Sequence, residues 1–479
     1  MTSLKDKDLL SIQEARTLTE QAKEAFDTLS LFPQEKLNEI IKAVHLAAIQ
    51  NEKRLAEMAV EETGFGNPYD KRMKNRFAAQ TVYEAIKDTP AVGILRDDTQ
   101  NKVMDIGVGV GVICGIVPST NPTSTVIFKS LIALKSGNTI VFSPHPGAKK
   151  CILETVKIIA EAAEKAGCPK HAISCLSIPT PAGTNELMKH NLTALILATG
   201  GPGMVRSAYS SGKPAIGVGA GNGPAFIDKS ADIKKAVSMI FSSKTFDNGT
   251  ICASEQSIII EKCMQEKVEA EIKAQGGYLL NADEKETLSR FILRPNGSMN
   301  PAIVGRKATD IAQLAKINVP AGTKVLLAYE TKVGFGVPFS QEKLAPILGF
   351  YVEENIDAVL QKSAQILNFE GAGHTFSMHA NDRNLVERFA FAMPVSRILI
   401  NTPAALGGIG KTTNLFPSLT LGCGAVGGSS SSNNIGPLDI INIKRVAYGV
   451  RDMEDTPKAS ENTEIEQIVK QVIEQLKQQ

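Results

Sequence analysis

The sequence predicts an α/β protein built on two regions of largely parallel sheet. From Val108 onward, short apolar runs alternate with amphipathic segments of helical period, the pattern of βαβ units covered on both faces. The 479 residues, at roughly 150 per domain, allow about three domains or two large ones with an extra element. A 43% hydrophobic share against 21% charged residues supplies ample material for packed cores.

The elements follow in order. Residues 11–60 read as helices, with apolar positions recurring at helical spacing between charges. Strand candidates VGVICGIV, TIVFS, ISCLSI, ALILAT and PAIGVG come next, with helices starting at Thr125 and Ala148 among them. A helix near Ala231 to Phe246 opens a second α/β region, whose strand candidates are QSIIIE, TKVLLAYE and HTFSMHA. A Gly/Ser/Asn-rich loop from Gly422 to Asn434 precedes a strand-like DIINIKRVAYG. The polar stretch RDMEDTPKASENTE reads as a linker to a last helix at 463–479. Ligands of open parallel sheets gather beyond the carboxyl ends of the strands. The loops after Val117, Phe142, Ile178, Ala198 and Val218 are therefore the ones to carry function.

Composition narrows the partners. A net charge of +2 with no basic block argues against nucleic acid or an anionic membrane. The polar N-terminus lacks a signal-peptide core, and the longest apolar stretch, near Val108 to Val117, is too short to span a bilayer. Seven scattered cysteines without CxxC spacing indicate free thiols in a reducing, cytoplasmic setting and no metal site.

Three glycine-rich patches invite a nucleotide reading. In GVGVGV (107–112) the glycines fall before or inside a strand, where a dinucleotide fingerprint needs them after it. GIGKTT (408–413) resembles the end of a P-loop, but Ala405 stands where the first glycine belongs. TGGPGM (199–204) follows a strand and opens a helix, so it presents free N–H groups to an anion; an ordinary tight turn is the alternative.

Among candidate chemical groups, Cys252 lies in FDNGTICASEQSIII, between a helix and an apolar strand. A thiol in such a turn can reach a cleft as a nucleophile, or be buried as Cys114, Cys151, Cys168 and Cys175 should be. Asn121, in IVPSTNPTS, follows a strand directly; its amide can donate to an oxyanion or cap the next helix. His374 and His379 are five apart on a strand, hence on opposite faces, and do not share a metal. Either is a cleft-facing base or a hydrogen-bonded core histidine.

These pieces occur in one order. IVPSTNPTS, VFSPHPGAKK, ATGGPGMVRSAYSSGKPAIGVGAGNGPAFID, NGTICASEQSII, EKLAPIL, GAGHTFSMH and LGCGAVGG together resemble the aldehyde dehydrogenase superfamily over about residues 10 to 450. Within it the chain resembles the CoA-acylating acetaldehyde and propionaldehyde dehydrogenases of bacterial microcompartments and of bifunctional aldehyde/alcohol dehydrogenases. The resemblance implies an aldehyde dehydrogenase-like fold of two Rossmann-like α/β domains and a small β arm for oligomerisation. It implies a nicotinamide-binding domain from 1–93 and 108–233, a catalytic domain at 234–428, an arm from 94–107 and 429–449, a linker at 450–462 and an amphipathic helix at 463–479.

It further implies that Cys252 is the nucleophile and that Asn121 and the Cys252 N–H form an oxyanion hole. Thr199, Gly200, Gly201 and Gly203 are implied at the cofactor pyrophosphate and Glu342 at the nicotinamide ribose. Pro118, Ser119, Ser143, His145, Val218 and Gly219 are implied along the rest of the cofactor site. Hydrolytic relatives carry a general-base glutamate where GVGAGNGP here has Val218, and valine cannot activate water. Deacylation then needs another acceptor, coenzyme A, with His374 as candidate helper for its thiol. Ser143 replaces the lysine that holds the adenosine ribose, which leaves NADP beside NAD.

The implied reaction is reversible conversion of a short-chain aldehyde (acetaldehyde, propionaldehyde or sulfoacetaldehyde) to its acyl-CoA. An acyl-phosphate reductase of the same fold, a hydrolytic dehydrogenase and a catalytically dead subunit are the rival readings. The chain length leaves no room for a second, alcohol-forming module. A homodimer or dimer of dimers is implied, with a microcompartment shell protein as partner of 463–479.

Overall fold

The computed structural model describes residues 6–451 and 463–478; the expected linker lies outside them from residue 452 onward. Among the described residues, fifteen strands form three sheets. In chain order, β1 (Gly93–Asp98) and β2 (Val103–Gly109) come first. Next are β3 (Val112–Val117), β4 (Thr139–Pro144), β5 (Ile173–Cys175), β6 (Thr193–Thr199) and β7 (Ala215–Val218). The third group is β8 (Pro224–Ile227), β9 (Ser257–Glu261), β10 (Gly277–Leu279), β11 (Val325–Tyr329), β12 (Ile347–Glu353), β13 (Gly373–His379) and β14 (Val395–Ile400). β15 (Ile441–Ala447) follows.

The first parallel sheet has the order β5-β4-β3-β6-β7, so its winding reverses at β3. That reversal opens a crevice at the carboxyl ends of the strands. β3 and β4 are buried at every position, as strands covered on both faces must be. One cover is the helix Pro122–Lys135, itself wholly buried. Helix Lys7–Leu29 covers the opposite face of the sheet, against β3 and β4, and helix Gln34–Thr63 packs outside Pro122–Lys135. Asp6 caps the first through the N–H groups of Asp8 and Leu9, and Gly64, at φ 68°, ends the second in the left-handed region.

The second sheet runs β10-β11-β12-β9-β8-β13-β14, all parallel. The third is antiparallel, β1-β2-β15. Its central strand joins residues far apart in sequence, with Ile443 opposite Gly107. This is the two-sheet α/β architecture with a small β arm that the sequence predicts.

Several local expectations shift. VGVICGIV is not one strand: the chain breaks between β2 and β3 at Gly111, φ 134°. β2 continues to Gly109, two residues past the expected arm boundary at 107. The helix expected from Thr125 starts at Pro122, where proline fits the first turn. β8, β10, β12 and β14 were not expected. Each follows or contains a proline or glycine, which weakens the alternating signal. GIGKTT is no phosphate loop: Gly408 closes the short helix Ala404–Gly408 instead of preceding one.

Candidate active site

Five loops leave the carboxyl edge of the first sheet and converge on one cavity of about 580 Å³. They contribute Pro118, Ser119, Thr120 and Asn121 after β3, and His145 and Pro146 after β4. Pro179, Thr180 and Pro181 come from beyond β5, Gly200 and Gly201 follow β6, and Gly219 and Ala220 follow β7. Ser143, Thr199 and Val218 line it from the strand ends. Cys252, Thr250, Glu342 and Leu344 form the opposite wall. Two expected residues are not brought there. Gly203 lies exposed in the first turn of the helix Pro202–Tyr209. His374 is fully buried on β13.

The loop that carries Cys252 is held by backbone geometry. Asp247 and Asn248 both take left-handed φ, 47° and 53°, between the helix Ile233–Thr245 and β9. Gly221 lies so close that a Cβ there would sit 1.8 Å from the Cys252 carbonyl oxygen. Any side chain at 221 would push the thiol's loop away. Cys252 and Cys175 are partly buried, while Cys114, Cys151 and Cys168 are buried; the expectation of a buried Cys175 is met only in part. Burial pushes the Cys252 thiol up to about 12, with the charges of Glu342 and Cys423 adding and Arg397 opposing.

Arg397 is a buried cation held by neutral acceptors. Its Nε donates to Asn434 Oδ1 at 2.7 Å, and its terminal nitrogens to the carbonyls of His374, Gly422 and Ser432. It thereby ties β14 to the glycine-rich loop and sets a positive field behind the thiol.

Asn121 occupies the N-cap position of Pro122–Lys135, yet its side chain makes no capping bond. The capping alternative is therefore not what this amide does. Its Oδ1 accepts from Lys74 Nζ at 2.6 Å, and its Nδ2 points to Thr120 Oγ1 and the Thr250 carbonyl.

His374 is displaced from the cavity for a physical reason: β13 is an interior strand of the second sheet. Its Nδ1 meets Thr375 Oγ1 at 2.9 Å and its Nε2 has no partner. Burial and Arg397 lower it to about 3, so it is neutral and a feeble base where it stands. His379 is likewise buried and lowered to about 4 by burial.

Glu342 is the one carboxylate among the lining residues described. It accepts from the Gly221 N–H at 2.9 Å, and burial with the nearby Glu370 raises it to about 8. No lysine or arginine is among the lining residues.

The cavity suits a dinucleotide. Thr199 Oγ1 is buried there without a partner, and open space lies before Gly201 where the helix Pro202–Tyr209 begins. Ser143 Oγ is taken by Thr184 Oγ1 at 2.7 Å and offers no charge. Among the described residues no group of three or more potential ligands could hold a metal ion.

The aldehyde dehydrogenase family matches residues 8–335. The chain belongs to that family. The bifunctional aldehyde-alcohol dehydrogenase of Escherichia coli K12 is 46% identical over 92% of this chain, and the chain spans about half the length of that relative (50%). A probable aldehyde dehydrogenase of Listeria monocytogenes superposes with a TM-score of 0.93 at 58% identity, covering 94% of this chain and 100% of the other. An acetylating aldehyde dehydrogenase of Geobacillus thermoglucosidasius gives 0.92 at 52%, covering 94% and 99%. A propionaldehyde dehydrogenase of Rhodopseudomonas palustris, solved with bound CoA and an acylated cysteine, gives 0.83 at 26%, covering 91% and 97%.

Sequence reasoning missed Phe65, Thr250, Pro301, Val304 and Leu344 as lining residues. It also missed the lysines behind Asn121. Lys71 and Lys74 sit in PYDKRMKNR, a helix with no apolar stripe, yet both are buried. Two buried charges one turn apart are legible only once their partner, Asp247, is known.

Proposed function

We propose that this family member oxidises a short, uncharged aldehyde to its acyl-CoA thioester with NAD, through a covalent intermediate on Cys252. The observation that carries the reading is the shared cavity: thiol, amide and carboxylate line it with Val218, not a glutamate, at the end of β7. The similarity to an acetylating dehydrogenase, and to one solved with CoA and an acylated cysteine, supports it.

Cys252 Sγ attacks the aldehyde carbon and forms a thiohemiacetal. The Asn121 Nδ2–H and the Cys252 N–H donate to its oxyanion, where preorganised donors act most strongly. The hydride acceptor would be supplied by a nicotinamide held in this cavity. Pro118, Ser119, Ser143 and His145 would line its adenosine end, Thr199, Gly200 and Gly201 its pyrophosphate, and Val218, Gly219 and Glu342 its nicotinamide end. The cavity lining holds no cation for a 2′-phosphate, which favours NAD over NADP.

The thioester on Cys252 then waits for a thiol. Val218 activates no water, so hydrolysis is slow, and the CoA thiol attacks instead. Glu342, lifted to about 8, is matched to a thiol near 8.5 and is better placed than His374 to take its proton. The thioester exchange is nearly isoenergetic, so the reaction runs both ways. An anionic tail such as a sulfonate would find no cation in the lining. A shell protein of a microcompartment binding the last helix, and a dimer or dimer of dimers through the β arm, complete the proposal.

The test is product analysis. Without CoA we expect NADH equal to the enzyme present and then near-arrest; with CoA, continuous NADH and thioester from acetaldehyde or propionaldehyde. Steady release of free acid without CoA overturns the reading.

A further inference from the structure

We propose that Lys74 is a positioning residue of the oxyanion hole: its ammonium fixes the Asn121 amide so that N–H, not C=O, faces the reacting carbonyl. The inference rests on Asn121 being the oxyanion donor.

A carboxamide has two nearly isosteric orientations, and only its partners decide between them. An ammonium has three donors and accepts nothing. The Asn121 atom at 2.6 Å from Lys74 Nζ must therefore be oxygen, and the NH₂ is turned away from it. The other two Lys74 donors are also used, on Thr250 Oγ1 at 2.8 Å and on the Asp247 carboxylate. Thr250 and Asp247 belong to the segment that carries Cys252. One buried cation thus links the donor of β3's loop to the nucleophile's loop.

Asp247 holds this cation in place. Its Oδ1 takes the Asn67 N–H at 3.0 Å, and its Oδ2 takes Lys71 at 2.8 Å and Thr250 Oγ1 at 2.7 Å. The left-handed backbone at Asp247 and Asn248 lets the carboxylate turn inward to reach the helix Pro68–Arg76. Such strain is kept where the surroundings over-determine it. Behind Lys74 the helix continues into a π-helical turn at Phe77–Thr81, a departure that recurs near functional sites. A positive charge on the amide oxygen also polarises the N–H groups, which strengthens them as donors to a developing oxyanion.

A double-mutant cycle on the CoA-dependent oxidation tests this. Asn121→Ala is expected to lower kcat about 100-fold, the usual loss for one oxyanion donor. Lys74→Met is expected to lower kcat at least about tenfold, with KM for aldehyde and CoA within about threefold. Combined, the two should fall no more than about threefold below Asn121→Ala alone, because the lysine acts through the amide. Stoichiometric alkylation of Cys252 by iodoacetamide verifies that each variant keeps its site. If Lys74→Met does not fold, Lys74→Gln enters the same cycle, with an amide donor in place of the charge and a smaller loss expected. Losses that multiply in the double variant, or an undiminished kcat for the Lys74 variant, overturn the proposal. An undiminished kcat for Asn121→Ala instead overturns the reading on which it rests.

Discussion

At the scale of the residue, Cys252, the proposed nucleophile, begins protonated. Burial and the charges of Glu342 and Cys423 hold it near 12, so at neutral pH the thiolate is scarce in the free protein. The direction of the Glu342 effect depends on pH. Below about 8 Glu342 is protonated and exerts no field; above it the carboxylate opposes thiolate formation. Native protein and Glu342→Gln should therefore alkylate alike at about pH 6.5, while at about pH 9 the variant should react about threefold to tenfold faster. The readout is iodoacetamide incorporation on the Cys252 peptide, because Cys263 is exposed and would react too. Equal rates at the higher pH would mean that Glu342 does not face the thiol. Cys252→Ala should abolish oxidation with and without CoA while retaining cofactor binding, measured by fluorescence of bound NADH; residual turnover near the native value excludes this thiol.

At the scale of the element, strands of the first sheet were legible because each is a short, mainly apolar run. Their loops followed from topology, and all five line the cavity. The second sheet was harder. β14 follows Pro394 and carries Arg397 in its middle, a charge that reads as surface but is buried by carbonyl acceptors from distant loops. The helix Pro68–Arg76 hides in the same way, since its buried lysines depend on Asp247, 173 residues beyond Lys74. The last helix, Thr463–Lys477, was legible from its stripe. Ile468, Val469, Val472, Ile473 and Leu476 are all exposed in the structure, so that stripe is free to meet a partner. A helix this short is marginal alone and gains from a groove that covers its apolar face. Fused to a fluorescent protein and co-expressed with shell proteins, residues 455–479 should form puncta, and Ile468→Glu with Val472→Glu should disperse them. Diffuse fluorescence from the unmodified fusion removes the targeting reading.

At the scale of the whole molecule, the sheet β1-β2-β15 has few internal reasons to stand alone. A three-stranded antiparallel sheet needs a covered apolar face. Here Ile94 is 61% exposed, Ile443 44% and Tyr448 61%, and β1 and β15 both present open edges. Exposed edges of this kind invite pairing with another chain. β14 is a further edge strand, at one end of the seven-stranded sheet, with β10 at the other. An arm with apolar faces and a sheet with a free edge on the same chain suit an isologous contact, in which each copy's arm covers the other's surface. We therefore expect a dimer or a dimer of dimers of the 51.2 kDa chain in light scattering at micromolar concentration. Ile94→Asp and Ile443→Asp, tested separately, should shift the mass toward one chain, since each places a charge on a face that closure would bury. Their effect on kcat should be smaller than that of Asn121→Ala, because the cavity is lined without residues of the arm. A native mass of one chain, or an assembly indifferent to both substitutions, would show that the exposed arm serves another purpose.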